Sequence, residues 1–394
     1  MTFTPAPPDP IEPDLARLWG LDPAYCFLNH GSFGAVPRAV RQAWTAAQDR
    51  LEGRPIELLG RRIRELLAPS RARVGAFLGM GPESFGFVAN ATAGVNAVLR
   101  SLEFAPGDEL IATNHVYNAM RKCLAFRARQ SGAVYREVRM PLPISGSDPV
   151  LAAIEPHLNE RTRLVLIDHV TSPTALALPI EGLLAACKAR GIEVLVDAAH
   201  VPGMLPTDVE RLGATYWTGN LHKWCCAPKT AGVLWVSKDR RAQIHPANIS
   251  HFLDEGLLSE FEWQGTLDIS PWMTAGFAID YMGQWGWDRV RNHNRQMAAW
   301  CHRLLCERWD VEPLTPLDGR YLGSMCTVPL PPEVRALFAT PEDLQLALYH
   351  DHRIEAPVVD FDGRWHIRAS AQVYNRADEY ERLAQAVLEI ARRA

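Results

Sequence analysis

The sequence predicts an α/β protein: a large domain on a mostly parallel sheet covered by helices on both faces, then a smaller C-terminal α+β domain. Three observations carry this. Short β-rich apolar runs alternate with helical stretches of about ten to fifteen residues between Ser84 and Ser237. Beyond Gln284 the alternation gives way to long helices and a few separate strands. The chain is also long enough, at 394 residues, for two cores, and its 47% hydrophobic and 22% charged content is that of a globular protein.

Taken in order, residues 1–24 read as an irregular Pro-rich arm. Pro37 to Leu78 reads as one or two helices with Arg/Glu-rich faces and apolar positions at helical spacing. "SFGFVA" (84–89), "DELIAT" (108–113), "AVYREV" (133–138), "TRLVLID" (162–168), "IEVLVDAA" (192–199), "YWTGN" (216–220) and "AGVLWVS" (231–237) read as strands. Helical segments such as "TAGVNAVLRSL" and "IEGLLAACKARG" separate most of them, the spacing of βα units. These place a large domain at 25–284. A helix near 288–309, a strand at "SMCTVPL", helical "PEDLQLALYHD", a strand at "RWHIRAS" and a last helix over 376–392 make the small domain, 285–394, packed with the N-terminal helices.

A formal net charge of −4 gives no electrostatic case for nucleic acid or an anionic membrane. "MTFTPAPPDPIEPD" lacks a basic start and an apolar stretch, and no later run is long enough to span a bilayer, so a cytoplasmic protein is expected. The eight cysteines are scattered. Helical spacing spreads Cys301, His302 and Cys306 around an axis, and they read as core or surface groups, not metal ligands.

Open α/β sheets bind ligands at the carboxyl ends of their strands. Several strands here end in polar clusters. "GFVA" runs into "NATAG" (90–94), where Asn90 or Thr92 can cap a helix whose first amides form an anion site. "LVLID" runs into "HVTSPT" (169–174), "VLVD" ends at Asp197 with His200 soon after, and "YWTGN" precedes "LHK". Each has a plain structural reading as a cap or a satisfied core group; together they aim polar groups at one sheet edge.

Lysine is rare, five residues of the 41 Lys and Arg together, yet Lys223 and Lys229 fall within "NLHKWCCAPKT" amid Trp, Cys and Ala. An acid at a strand end, an anion-binding helix start and a lysine in semi-apolar surroundings meet the needs of pyridoxal phosphate (PLP). Its aldehyde needs an amine, its ring nitrogen a carboxylate, and its phosphate amides and hydroxyls. Desolvation lowers a lysine's pKa and favours imine formation. Lys223 is the leading candidate and Lys229, just after Pro228, its local rival.

"VDAAH…GNLHKW…APKTAGVLWV" resembles the class V branch of fold-type I PLP enzymes, and within it the isopenicillin N epimerase-like group. "YCFLNHGSFGAVP" (25–37), "DHVTSPTALALPI" (168–180), "EWQGTLDISPW" (262–272) and "HIRASAQVYN" (366–375) extend the resemblance over roughly residues 25 to 390. It implies that Lys223 carries the cofactor as a Schiff base and becomes the catalytic base, and that Asp197 pairs with the ring nitrogen. His200 sits near the ring's phenolic oxygen. Ala91, through its backbone, and Thr92 bind the phosphate, helped by Asn220 and His222. Ser172, or Thr171 beside it, lies near the ring oxygen, and Tyr117 or His115 stacks on the ring. Arg368 clamps the substrate carboxylate, Asn29 and His30 line the entrance, and Thr266 reaches the phosphate of the partner subunit in a homodimer with shared active sites.

One departure bears on the chemistry. Cysteine desulfurases of this class carry a nucleophilic cysteine shortly before the arginine, and "HRIEAPVVDFDGRW" (352–365) has none, which argues against persulfide chemistry. The resemblance implies an enzyme that forms an external aldimine with an α-amino acid and removes its Cα proton. Epimerisation, loss of a β-substituent as in C–S lyases (cysteine-conjugate or hercynylcysteine sulfoxide type), and transamination all share these residues. A non-catalytic protein that kept the fold is the alternative from another class; the intact Lys223, Asp197 and Arg368 argue against it.

Overall fold

A computed structural model describes residues 6–393. It has twelve strands in three sheets: β1 (Cys26–Phe27), β2 (Phe85–Val88), β3 (Glu109–Thr113), β4 (Val134–Val138), β5 (Thr162–Asp168), β6 (Glu193–Ala198), β7 (Tyr216–Asn220), β8 (Gly232–Val236), β9 (Met325–Pro329), β10 (Ile354–Glu355), β11 (Val358–Phe361) and β12 (Arg364–Ser370).

The main sheet runs β2-β8-β7-β6-β5-β3-β4. Its neighbours pair in parallel except β8, which is antiparallel to both β2 and β7. Successive side chains of a strand point to opposite faces, and both faces are apolar here. Ile111, Val165, Ile167, Val194, Val196 and Trp217 build one core, while Leu110, Leu164, Leu166, Leu195 and Tyr216 build the other. Helices cover both, so the central strands read as unbroken apolar runs. Edge strand β4 instead exposes Val134, Arg136 and Glu137, charges that blunt further pairing.

Every strand run proposed from the sequence forms, with ends shifted by at most one residue. Pro37 to Leu78 does not form one or two helices but three: Arg38–Gly53, Pro55–Arg61 and Ile63–Leu78. Pro55 disfavours helical backbone at Arg54, whose φ of −152° and ψ of 63° mark the first break. The arm is irregular apart from one 3₁₀ turn, but it is anchored, with Ile11, Leu15 and Trp19 buried against Met282, Trp285 and Tyr374; residues 1–5 lie outside the described residues.

Beyond Gly286 the helix Trp287–Trp309 leads to the antiparallel sheet β11-β12-β9. Helices Pro341–His352 and Ala377–Ala391 share a separate core with it through Trp309, Val328, Leu344, Trp365, Ile367 and Val387. β1 pairs in parallel with β10, which draws residues 26–34 across the mouth of the main sheet. Among the described residues no helix is long and apolar enough to cross a membrane, and no cluster of three His, Cys, Asp or Glu could hold a metal.

Candidate active site

At the carboxyl edge of the main sheet lies a cavity of about 430 Å³. Local sequence chemistry sets each wall. β2 ends before Asn90, whose side chain accepts from the backbone N–H of Ala93 (3.0 Å) and caps the helix Ala91–Ser101. Asn90 therefore does the capping, and Thr92 is left facing the cavity. Asn220, ending β7, accepts from the N–H of Ala91 (2.8 Å), which fixes the helix start beside the strand ends. Gly94 permits this approach, because a Cβ there would collide with Thr218 Oγ1.

Asp168, the last residue of β5, pairs in register with Asp197, the last but one of β6, both buried and both lining the cavity. Asp197 accepts from the N–H of Ala199 (2.9 Å) and is raised by burial. Asp168 is raised further, by burial and then by the charge of Asp197. Its Oδ1 accepts from the N–H of Tyr117 (3.4 Å), and its Oδ2 is buried without a partner.

Lys223 follows β7, with its Nζ 3.1 Å from His200 Nε2. Burial, and then the charge of Arg368, pull the ammonium down to about 7, with Asp197 opposing. His200 is held neutral, its pKa pushed well below the usual value by burial and the charge of Lys223. The Trp224 indole N–H points at His200 Nδ1 (3.4 Å) and can only donate. A neutral ring then carries its proton on Nε2, which donates to Nζ. That bond requires Lys223 as the free amine, the form that condenses with an aldehyde.

Arg368, on β12, crosses from the small sheet into the cavity. Nη1 donates to Ser172 O (2.8 Å) and Oγ (3.0 Å), Nη2 donates to Ser32 Oγ (2.9 Å), and Nε is buried without a partner. Burial lowers it to about 10, so it stays cationic at neutral pH. His222 lines the cavity with Nδ1 3.1 Å from Ala231 O, and burial lowers it to about 4. Tyr117 lines it while 45% exposed.

Ten residues expected at the site thus share one cavity: Ala91, Thr92, Tyr117, Ser172, Asp197, His200, Asn220, His222, Lys223 and Arg368. Five do not line it. His115 is buried, bonded to Thr174 Oγ1 (2.8 Å) and Met140 O (2.9 Å), so Tyr117 is the aromatic that faces the cavity. Thr171 bonds Thr174 Oγ1 (2.8 Å) and shapes the turn behind Ser172. His30 is a correction to the expected entrance: it is fully buried between Tyr374 OH (2.8 Å) and Lys223 O (3.0 Å). Asn29 sits behind the wall, accepting from Ser32 Oγ (2.5 Å) and donating to Glu355 (3.1 Å). Gly31, Ser32 and Phe33 line the cavity in their place. The tight link is Gly34, at φ +68°, where a Cβ would strike the carbonyl of His222. Thr266 is exposed and does not reach the cavity of its own chain. Lys229 lines the lip and donates to Gly34 O (3.0 Å), away from the carboxylates.

Sequence reasoning missed Asp168 and Ser32. Asp168 had a signal, a carboxylate at a strand end one strand away from Asp197. Ser32 had none, since its contact with Arg368 joins residues 336 positions apart.

A free amine, a buried carboxylate, a capped helix start and a guanidinium around one cavity fit an aldehyde cofactor with a ring nitrogen and an anionic tail. Fold and site together define a fold-type I PLP enzyme. The chain matches the Aminotransferase class-V family over residues 35–383 and belongs to it. Isopenicillin N epimerase of Amycolatopsis lactamdurans is 33% identical, covering 94% of this chain and 96% of that protein. A putative L-cysteine desulfhydrase of Oryza sativa subsp. japonica is 29% identical over 91% of this chain and 82% of its own length. The fold is shared with a C-DES variant carrying glycine covalently linked to its PLP cofactor (TM-score 0.78, 21% identity, 95% of this chain and 99% of that one). It is shared too with a cysteine desulfurase of Thermococcus onnurineus NA1 (TM-score 0.80, 19% identity, 99% and 100%). PLP is the cofactor.

Proposed function

We propose that the protein removes the Cα proton of an α-amino acid and returns it in the manner of an isopenicillin N epimerase. The observation that carries this is Lys223, an amine brought to about 7, in one cavity with Asp197 and Arg368. Bound PLP supplies an electron-poor ring that acidifies the substrate Cα–H. Arg368 holds the substrate carboxylate with the fork now spent on Ser32 and Ser172. Asp197 holds the ring nitrogen, and Thr92, Asn220 and His222 serve the phosphate, joined by Ala91 once its N–H is released from Asn220 Oδ1. Lys223, free once substrate takes its place, accepts the Cα proton at Nζ and is kept in its amine form by His200.

Loss of a β-substituent is the second reading, favoured by the desulfhydrase relative. Persulfide transfer is disfavoured: no cysteine lines the cavity, and seven of the eight free cysteines are buried elsewhere. The working form is a cytoplasmic homodimer in which Thr266 completes the partner's phosphate site. It has a large unit at 25–284, a small one at 285–394, and no nucleic-acid or membrane partner. The test incubates holoenzyme with L-amino acids in D₂O and follows Cα deuteration, chirality, keto acid and ammonia. Deuterated, racemised substrate supports epimerisation; keto acid with ammonia supports elimination; absence of deuteration together with absence of keto acid rejects both.

A further inference from the structure

A second cavity, of about 510 Å³, adjoins the first and shares Tyr117, Ser172 and Arg368 with it. One wall is the β11–β12 hairpin. Residues alternate sides along a strand, and Val359 pairs with His366 and Phe361 with Arg364, so both lie on the face that Arg368 occupies. Phe361 is fixed there against the His115 ring (centroids 4.6 Å apart). Pro357, which accepts from the N–H of Arg368 (3.1 Å), and Pro173 continue this wall, which is apolar apart from the carboxylates of Asp360 and Asp362, the latter paired with Arg139 (3.2 Å). The facing wall is polar, with Asn114, Asn118, Arg121 and Glu137. Arg121 and Glu137 are paired at 2.5 Å, and Arg121 also donates to Asn114 O (3.0 Å), so that wall is neutral and preset.

The dimensions exclude a small side chain as the natural occupant. Arg368 lies four positions along β12 from Arg364, the partner of Phe361, about 13 Å of hairpin wall at roughly 3.3 Å per residue. A side chain of one carbon and one sulfur, as in cysteine, is too short to span that wall. The second cavity lies within the usual ligand-pocket range of roughly 300–1,000 Å³. Resting on the amino-acid reading above, we propose that this second chamber is the subsite for an extended substituent on the substrate's β-carbon. The occupant is apolar along Pro357, Val359 and Phe361 and carries a hydrogen-bonding group toward Asn118 and Arg121. Tyr117, which lines both chambers, stands at the passage between them. The natural substrate class is then a conjugated or acyl-extended amino acid, not free cysteine.

The experiment compares S-benzyl-L-cysteine with L-alanine on PLP-loaded protein, reading affinity by titration calorimetry and Cα deuteration in D₂O. Val359→Trp and Asn118→Trp fill the chamber from opposite walls and replace no residue assigned to cofactor or carboxylate. Each is expected to weaken binding and deuteration of S-benzyl-L-cysteine by tenfold or more, with L-alanine changed less than twofold. L-Alanine thereby reports that the variants are folded. Unchanged handling of S-benzyl-L-cysteine by both variants, or an equal loss for both compounds in both variants, overturns the subsite alone. Failure of both compounds to deuterate, with no keto acid from S-benzyl-L-cysteine, on unaltered protein overturns the amino-acid reading and the subsite with it.

Discussion

Asp168 and Asp197 stand opposite each other on neighbouring parallel strands, buried carboxyls facing one cavity. Two such groups do not both ionise readily in a low-dielectric site. Each accepts a backbone N–H, Asp197 from Ala199 (2.9 Å) and Asp168 from Tyr117 (3.4 Å), but Asp197 has the shorter bond and also feels the Lys223 charge. Asp168, raised further by burial and by the charge of Asp197, is the one that holds a proton more readily.

The pair yields a contrast. Asp197→Asn removes the charge that keeps a ring nitrogen protonated, and turnover is expected to drop on the order of 10³-fold or more with cofactor still bound. Asp168→Asn keeps the shape of the carboxyl that protonates more readily, and a change of less than about tenfold is expected. Steady-state rates of the two variants check this; equal losses would show that the carboxyls act as a unit.

Lys223→Ala is expected to abolish covalent attachment of PLP while leaving the fold intact. Borohydride trapping followed by peptide mapping checks it, and a pyridoxyl group on Lys229 in unaltered protein would refute the assignment.

The depressed Lys223 pKa also sets a pH dependence of the apoprotein. Unfolded lysine titrates near 10.4, folded Lys223 near 7. Between these values the unfolded chain binds more protons, so this residue's contribution makes stability rise with pH, and it is most unfavourable below 7. Apo Lys223→Met is therefore expected to be more stable than the parent at pH 6, by about 2 kcal/mol. The gap should close as pH approaches 10.5. Denaturant midpoints across this range measure it; a constant gap would mean that Lys223 titrates normally.

Arg368→Lys keeps the charge but loses the planar fork that reaches Ser32 and Ser172 together. Substrate affinity is expected to fall by about 2 kcal/mol, roughly 30-fold. KM should rise more than kcat falls, which single-turnover and steady-state kinetics separate.

Thr266 gives the test of a shared site. Thr266→Val is expected to weaken cofactor binding by roughly 1 to 3 kcal/mol. Mixing it with a Thr92→Val, Lys223→Ala chain should restore partial activity, since one heterodimer site holds Lys223 and Thr92 from one chain and Thr266 from the other. Subunit exchange without recovery, or a fully active monomer in sedimentation, counts against sharing.

The sequence by itself determined the strand series, the change of pattern near Gln284 and the polar strand ends that carry Asp197, Asn220 and Lys223. Those features are local: apolar periodicity, caps and breaks lie within a few residues of what they specify. It also placed Arg368, through a motif resemblance. Only the tertiary structure separated Tyr117 from His115 and Ser172 from Thr171, because neighbours in sequence turn opposite ways and burial decides which faces the cavity. Only it withdrew His30 from the entrance and put Ser32 on Arg368, contacts made when β1 docks beside β10 more than 300 residues away. And only it gave Lys223 its amine character, since that depends on desolvation, on the charge of Arg368 and on the His200 contact, assembled from separate elements, a sum of through-space effects that no stretch of sequence records.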